Sequence, residues 1–168
     1  FCFQTDASFT RKPFMGIIDF EFYKKIIDEA DKLGVGAITL ASRGEPTLHK
    51  KLMDMIKYAG EKENIFEKKL NTNATFLTEK LCHSIFENNF TQLVISADHY
   101  EKHEFERLRK NANFEKVVSN VDMLYSIREK YFPNRGSMSI KKIKNVLGYQ
   151  RKYDLFKALE HLDPSTIY

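Results

Sequence analysis

Cys2 stands in the opening stretch "FCFQTDASFT", a polar run outside any amphipathic pattern, so packing does not account for its thiol. Forty residues on, "LASRGEPTLH" sets a carboxylate, Glu45, behind Gly44 and before Pro46. The glycine lets backbone approach a ligand closely, and the proline suits the first turn of a following helix. By residue type alone this is either a ligand-contact loop or an ordinary connection between strand and helix. Two further stretches, "NTNATFLT" and "SADHYEKHEFERLR", carry more Ser, Thr, Asn, Asp and Arg than solubility requires. His99 and His103 are four apart, as two ligands on one helical face would be, but no zinc-protease glutamate follows the first and no third ligand follows at a recognisable spacing. They read as solvated loop histidines, and His49 and His83 as surface or helix-face residues. Asp28 with Glu29, and Glu101, Glu104 and Glu106, lie among lysines and arginines and read as solvated ion pairs rather than acid–base pairs.

The elements that must position these residues follow an alternating pattern. "DFEFYKKIIDEADKL" predicts a helix with Asp19 as N-cap, Phe22, Ile26, Ile27, Ala30 and Leu33 on one face, and a stop at Gly34. "GAITLAS" is a short apolar run, expected to be a strand covered on both faces. "TLHKKLMDMIKYAGEK" then predicts a helix with Leu48, Leu52, Met55, Ile56 and Ala59 inward, followed by a strand in "FEKKLNTNAT". "TEKLCHSIFENN" and "QLVISAD" repeat the cycle, and "FEKVVSNVDMLYSIREKYF" adds a helix with Val117, Val118, Val121, Leu124, Tyr125 and Ile127 inward. Strands alternating with helices predict an α/β fold with a parallel sheet, either open and doubly wound or part of a (β/α) barrel of the TIM type. In both, function gathers at the C-terminal ends of the strands, where the polar stretches above fall.

At 168 residues, 42% of them hydrophobic and 30% charged, the chain suits one folded domain rather than a disordered one. Its 27 basic and 23 acidic residues are spread evenly, and no basic block adjoins an aromatic platform, so no nucleic-acid partner is inferred. No apolar run approaches a membrane span and no secretory leader is visible, which sets the expectation of a cytoplasmic protein with no membrane partner. Two isolated cysteines do not make a disulfide framework. Cys82, with Leu77, Leu81, Ile85 and Phe86 around it at helical spacing, is expected to be core.

Taken in order, "CFQTDASFT", "GEPTLH" near residue 45, "NTNAT" and "VISAD" resemble the radical S-adenosylmethionine superfamily. The resemblance covers about residues 1 to 132. In that family three cysteines spaced C-x3-C-x2-C hold a [4Fe-4S] cluster, and S-adenosylmethionine occupies the iron without a protein ligand. Soft thiolates suit the cluster, and the open iron allows electron transfer into the sulfonium. The resemblance implies reductive cleavage to a 5′-deoxyadenosyl radical, which abstracts hydrogen from a substrate. Cys2 looks like the last cysteine of the triad, with Phe1 as its preceding aromatic residue. Arg43 to Pro46 resemble the Gly-Gly-Glu-Pro motif that meets the methionine amino group, with Arg43 in place of the first glycine. The implied cofactor contacts are Gly44, Glu45, Asn73, Ser96 and Asp98, together with Arg109, whose stretch "HEFERLRKNANFEKV" resembles a region with an arginine for the carboxylate.

The same resemblance implies a flavodoxin or ferredoxin as electron donor. It extends to members with an additional C-terminal iron-sulfur (SPASM-like) domain that act on sugars, polysaccharide precursors or peptides. The expected division is residues 1–134 as a partial radical SAM barrel, truncated at its N-terminus and lacking later strands, and 135–168 as an atypical segment of helix and incipient strand, not the native continuation. With one of three thiolates, such a fragment is expected to be inactive by itself. Two other readings stand beside this one: a non-catalytic α/β nucleotide-binding domain, and a composite whose "KYDLFKALEHLDPSTIY" begins a methyltransferase-like unit.

Overall fold

The computed structural model describes residues 16–41 and 44–133. Phe1, Cys2 and Arg43, and the boundary expected at 134/135, lie outside them. Among the described residues there are five α-helices and three strands, beginning with α1 (Phe20–Lys32) and β1 (Ala37–Leu40). Then come a 3-10 turn (Pro46–Leu48), α2 (Leu52–Gly60), β2 (Glu67–Thr72), α3 (Glu79–Glu87), β3 (Gln92–Ile95), α4 (Lys102–Leu108) and α5 (Phe114–Tyr131). The strands form a parallel sheet in the order β1-β2-β3, so the predicted α/β fold with a parallel sheet is present. Among the described residues these three strands do not close into a barrel.

Helix ends follow the local chemistry. Asp19 caps α1 by accepting the Phe22 N–H at 3.0 Å, and Thr78 and Asn113 do the same for α3 and α5. Gly34, at φ +68°, ends α1: its N–H bonds Asp31 O at 3.1 Å and that of Val35 bonds Ala30 O at 2.9 Å, the Schellman arrangement.

Register places Leu40, Leu70 and Leu93 side by side on one sheet face, with Thr72 beside Ile95. That face lies under the helices, and Leu70, Leu93 and Ile95 are wholly buried with Ile56, Ile85 and Phe86. Side chains alternate along a strand, so Thr39, Lys69 and Gln92, with Asn71 and Val94, lie on the opposite face. This second face is exposed on β1 and half-buried on β2 and β3.

Four expectations are corrected. β1 is not covered on both faces by the described residues: Ala37 and Thr39 are exposed and Ile38 and Leu40 half-buried. In α1 the residues buried are Tyr23 and Ile27, while Phe22, Ile26 and Leu33 face outward, so the helix is turned by about one residue from its predicted setting. Helix α2 begins at Leu52, not near Thr47, and Leu48 is 61% exposed. Pro46 to Leu48 instead form a 3-10 turn, which ends because His49 takes an extended backbone, φ −77° and ψ 118°. Finally, part of the stretch around His103 is helix α4, pinned by Phe105, which is buried against the core and edge-on to Phe114.

Candidate functional site

Three of the chain's loops converge at the C-terminal end of the sheet, and Glu45 is where two of them are joined. Gly44 precedes it at φ +87°, a left-handed conformation that favours glycine; a Cβ there would meet nothing within 4 Å, so the requirement is conformational. Glu45 is N-cap of the 3-10 turn, and its Oε1 accepts from Thr47 N at 3.1 Å and Thr47 Oγ1 at 2.7 Å. The same oxygen accepts from Thr72 Oγ1 at 2.6 Å, while Oε2 accepts the Asn73 N–H at 2.8 Å. The carboxylate thereby binds the exit of β1 to the exit of β2.

The β2 exit is itself held in place. Thr72, 2% exposed, spends its one hydroxyl proton on Glu45 and accepts the Ala74 N–H at 3.0 Å. Ala74 is buried at φ +62°, unfavourable for a residue with a Cβ. Asn120 of α5 stabilises that turn by donating from Nδ2 to Ala74 O at 2.7 Å and Thr75 O at 3.1 Å. Asn73 faces Glu45 through its backbone N–H; its side-chain Oδ1 accepts from Thr75 N at 2.8 Å.

The β3 exit continues the sheet by one bond, Ser96 N to Thr72 O at 2.8 Å. Beyond it Asp98 Oδ2 lies 2.6 Å from Arg109 Nε, both side chains being 22% exposed. Neither atom has a hydrogen-bond partner of good geometry, so the pair is held by proximity and charge rather than by an N–H aimed at the carboxylate. His103, on α4, is largely exposed beside Glu104, and His99 accepts the Glu101 N–H at 3.1 Å and stacks on Tyr100. They do not form a two-histidine face. Of the acidic residues read as ion pairs, two are so engaged: Asp28 meets Lys62 at 2.5 Å and accepts from Tyr58, and Glu104 meets Arg107 at 2.7 Å, whereas Glu106 accepts the Phe114 N–H at 3.0 Å. Hydrogen bonding to Lys62 and then Tyr58 holds Asp28 below the ordinary carboxylate range, as Arg107 does Glu104.

Thus the structure places Glu45 and Asn73 in contact, sets Gly44 beside them, and pairs Asp98 with Arg109. Thr72, Thr47 and Asn120 were not singled out from the sequence. Thr72 was visible as a threonine ending a strand opposite "GEP", but nothing in spacing revealed which atom its hydroxyl would meet.

The donor set fits one part of S-adenosylmethionine. A carboxylate offers about four acceptor positions. Oε1 of Glu45 has three donors and Oε2 one, which leaves Oε2 able to accept from an ammonium group. An iron-sulfur cluster finds no ligand set among the described residues: no group of three His, Cys, Asp or Glu could hold a metal, and Cys82 is buried in α3. Cys2 lies outside them. Among the described residues, too, no helix is long and apolar enough to cross a membrane.

Over 84 residues the chain is 31% identical to the tungsten-containing aldehyde ferredoxin oxidoreductase cofactor-modifying protein of Pyrococcus furiosus, which covers 49% of this chain and 23% of that protein. The chain therefore spans about a quarter of that relative's length. Among solved structures, BtrN in complex with AdoMet and 2-DOIA is similar at 24% identity and a TM-score of 0.48, over 64% of this chain and 44% of that one. Selenomethionine BtrN in an open conformation is similar at 24% identity and a TM-score of 0.46, over 54% and 42%. The family model of the radical SAM superfamily matches residues 1–137, most of the sequence, and the chain belongs to that superfamily.

Proposed function

We propose that this chain is the core of a radical S-adenosylmethionine enzyme. It binds S-adenosylmethionine at the C-terminal end of its sheet beside a [4Fe-4S] cluster to which Cys2 contributes a thiolate. The observation that carries this reading is Glu45, a carboxylate fixed by four donors from two loops and still able to accept at Oε2. When bound, cluster and cofactor supply one-electron cleavage of the sulfonium and hydrogen abstraction by the resulting 5′-deoxyadenosyl radical.

The residues of this chain bind and orient. Glu45 receives the methionine ammonium, and its own fixation by Thr47, Thr72 and the Asn73 N–H means little reorganisation accompanies binding. Gly44 presents backbone without a side chain, and Ser96 and Asp98 stand at the next strand end for the nucleoside. Arg109, whose Nε–H is not aimed at Asp98, is available to turn toward the methionine carboxylate. The reaction calls for a low-potential one-electron donor, a flavodoxin or ferredoxin. The substrate, in keeping with the resemblance, is a sugar, a polysaccharide precursor or a peptide.

The test is anaerobic reconstitution of the protein with whatever residues its gene encodes upstream of Phe1, followed by equilibrium dialysis against S-adenosylmethionine. Glu45→Gln should weaken binding by roughly 10- to 100-fold, the worth of a charge-assisted hydrogen bond. Cys2→Ala should remove the broad cluster absorbance. Wild-type affinity in Glu45→Gln, or unchanged absorbance in Cys2→Ala, would refute the assignment.

A further inference from the structure

We infer that His49 is a positioning residue, fastening the chain that enters α1 to the loop that carries Glu45. The inference rests on the functional reading above for its consequence, but its geometry stands by itself. The ring of His49 joins parts of the chain 31 residues apart: Nε2 lies 2.9 Å from the carbonyl oxygen of Ile18, and Nδ1 lies 3.0 Å from the Lys51 backbone nitrogen.

The partners set the ring's tautomer. A backbone N–H can only donate, so Nδ1 must present its lone pair to Lys51; a carbonyl can only accept, so Nε2 must carry the proton it offers to Ile18. A neutral imidazole in one tautomer satisfies both bonds at once.

Each end of this bridge is attached to something that matters for the site. His49 closes the 3-10 turn that Glu45 opens, its N–H bonding Pro46 O at 2.9 Å while Leu48 N bonds Glu45 O at 3.1 Å. Its own carbonyl accepts from Leu52 N, the first residue of α2, at 3.0 Å. The ring is therefore four residues from Glu45 along a hydrogen-bonded turn. At the other end, Ile18 immediately precedes Asp19, the N-cap of α1. A cofactor that meets Glu45 with its amino group needs the turn that carries Glu45 held against the rest of the fold, and the Nε2 bond ties that turn to the entry of α1. The Nδ1 bond is a local device of the turn.

Two substitutions separate the bonds. In His49→Gln the side-chain amide nitrogen stands near the position of Nε2 and can still donate to Ile18, but nothing replaces Nδ1. In His49→Asn the side-chain oxygen stands near Nδ1 and can accept from Lys51 in an Asx turn, but the side chain is too short to reach Ile18. The first readout requires no cofactor: the rate at which thermolysin cuts before Ile17 and Ile18. The second is S-adenosylmethionine affinity of the reconstituted protein.

His49→Asn should raise the cleavage rate and weaken cofactor binding, each about fivefold, the worth of one ordinary hydrogen bond, and His49→Gln should stay within about twofold of wild type in both. If His49→Asn does not fold, His49→Ala takes its place in the comparison with His49→Gln. Wild-type behaviour in the asparagine variant, or equal impairment in the glutamine variant, overturns the proposal. Should wild type and Glu45→Gln bind the cofactor alike, the functional reading fails, and the cleavage rates still decide whether the bridge exists.

Discussion

Helices α1 and α3 have the same kind of sequence pattern and opposite fates. Both repeat apolar residues at helical spacing and both begin with a side-chain cap. α3 buries Leu81, Cys82, Ile85 and Phe86 between α2 and α5. α1 packs on α2 and buries only Tyr23 and Ile27, while Phe22 stays 58% exposed and Leu33 73%. The strands repeat the contrast, since β1 is half open and β3 alternates half-buried with buried residues. Amphipathicity shows that a helix has a face to bury; it does not show where the covering element lies. The contrast is sharpest in two phenylalanines. Phe86→Ala should destabilise by about 3–5 kcal/mol through lost transfer energy and the cavity left behind, and Phe22→Ala by about 0.5 kcal/mol or less. Urea midpoints measure both. A Phe22→Ala loss approaching that of Phe86→Ala would break the comparison, showing that the outer face of α1 is covered in solution.

A smaller effect separates the two faces of the sheet. Thr72 and Thr39 are both strand threonines, but Thr72 lies on the buried face with its hydroxyl committed to Glu45 and Ala74, and Thr39 is exposed on the other. Thr72→Val is near-isosteric and leaves a carboxylate oxygen and a backbone N–H each short of a partner, at a cost of about 1–3 kcal/mol. Thr39→Val should change stability by about 0.5 kcal/mol at most, with either sign. If both are neutral in denaturant titrations, the Glu45 clamp contributes nothing and the carboxylate is not preorganised.

How much of this was legible can be judged from particular residues. The α/β alternation, the parallel order and the caps at Asp19 and Gly34 follow from local patterns, because period and capping chemistry act within a few residues. Glu45 was legible as a candidate, since a carboxylate in "RGEP" at a strand end is unusual and belongs to a recognisable family motif. Its partners were not, because Thr72 is 27 residues away and the bond depends on how two loops meet. Asn120 was hidden for the same reason, a polar residue in mid-helix whose donor reaches a turn 45 and 46 residues earlier. Lys68 illustrates the converse. A strand lysine is ordinarily solvated, but this one lies 4% exposed on the core face, where burial holds its pKa below the ordinary lysine range. Its ammonium reaches past the end of α2 to Lys62 O at 3.0 Å, so the charge is spent on a carbonyl beyond a helix C-terminus. Helix α4 escaped because one buried side chain, Phe105, is too little for a periodic signal.

The smallest predicted effect returns to the buried groups on the two flanks. Burial pushes the Cys82 thiol up from its ordinary 9.0 to about 12, and it raises the Tyr23 phenol, which donates to Met55 O at 3.1 Å. Each group is held neutral by the fold and ionises more readily once the chain unfolds. The sign follows from that difference. Below the unfolded thiol's pKa both states keep the proton and nothing is lost; as pH rises from about 9 toward about 12 only the unfolded state releases it, and stability declines. The slope for one such group is at most about 1.4 kcal/mol per pH unit, so the loss from Cys82 by pH 10 is about 1.4 kcal/mol. Cys82→Ala should flatten the fall of the urea midpoint between pH 8.5 and 10, referenced to its own value at pH 7 so that the lost packing cancels. Tyr23→Phe, on the α1 flank, should flatten that interval by only about 0.4 kcal/mol and act mainly at higher pH, because an unfolded tyrosine ionises near 10. Were Cys82→Ala to leave the midpoint's pH dependence as it is in wild type, the thiol would be reached by solvent in the native state, and the α3 flank would be as open as the α1 flank.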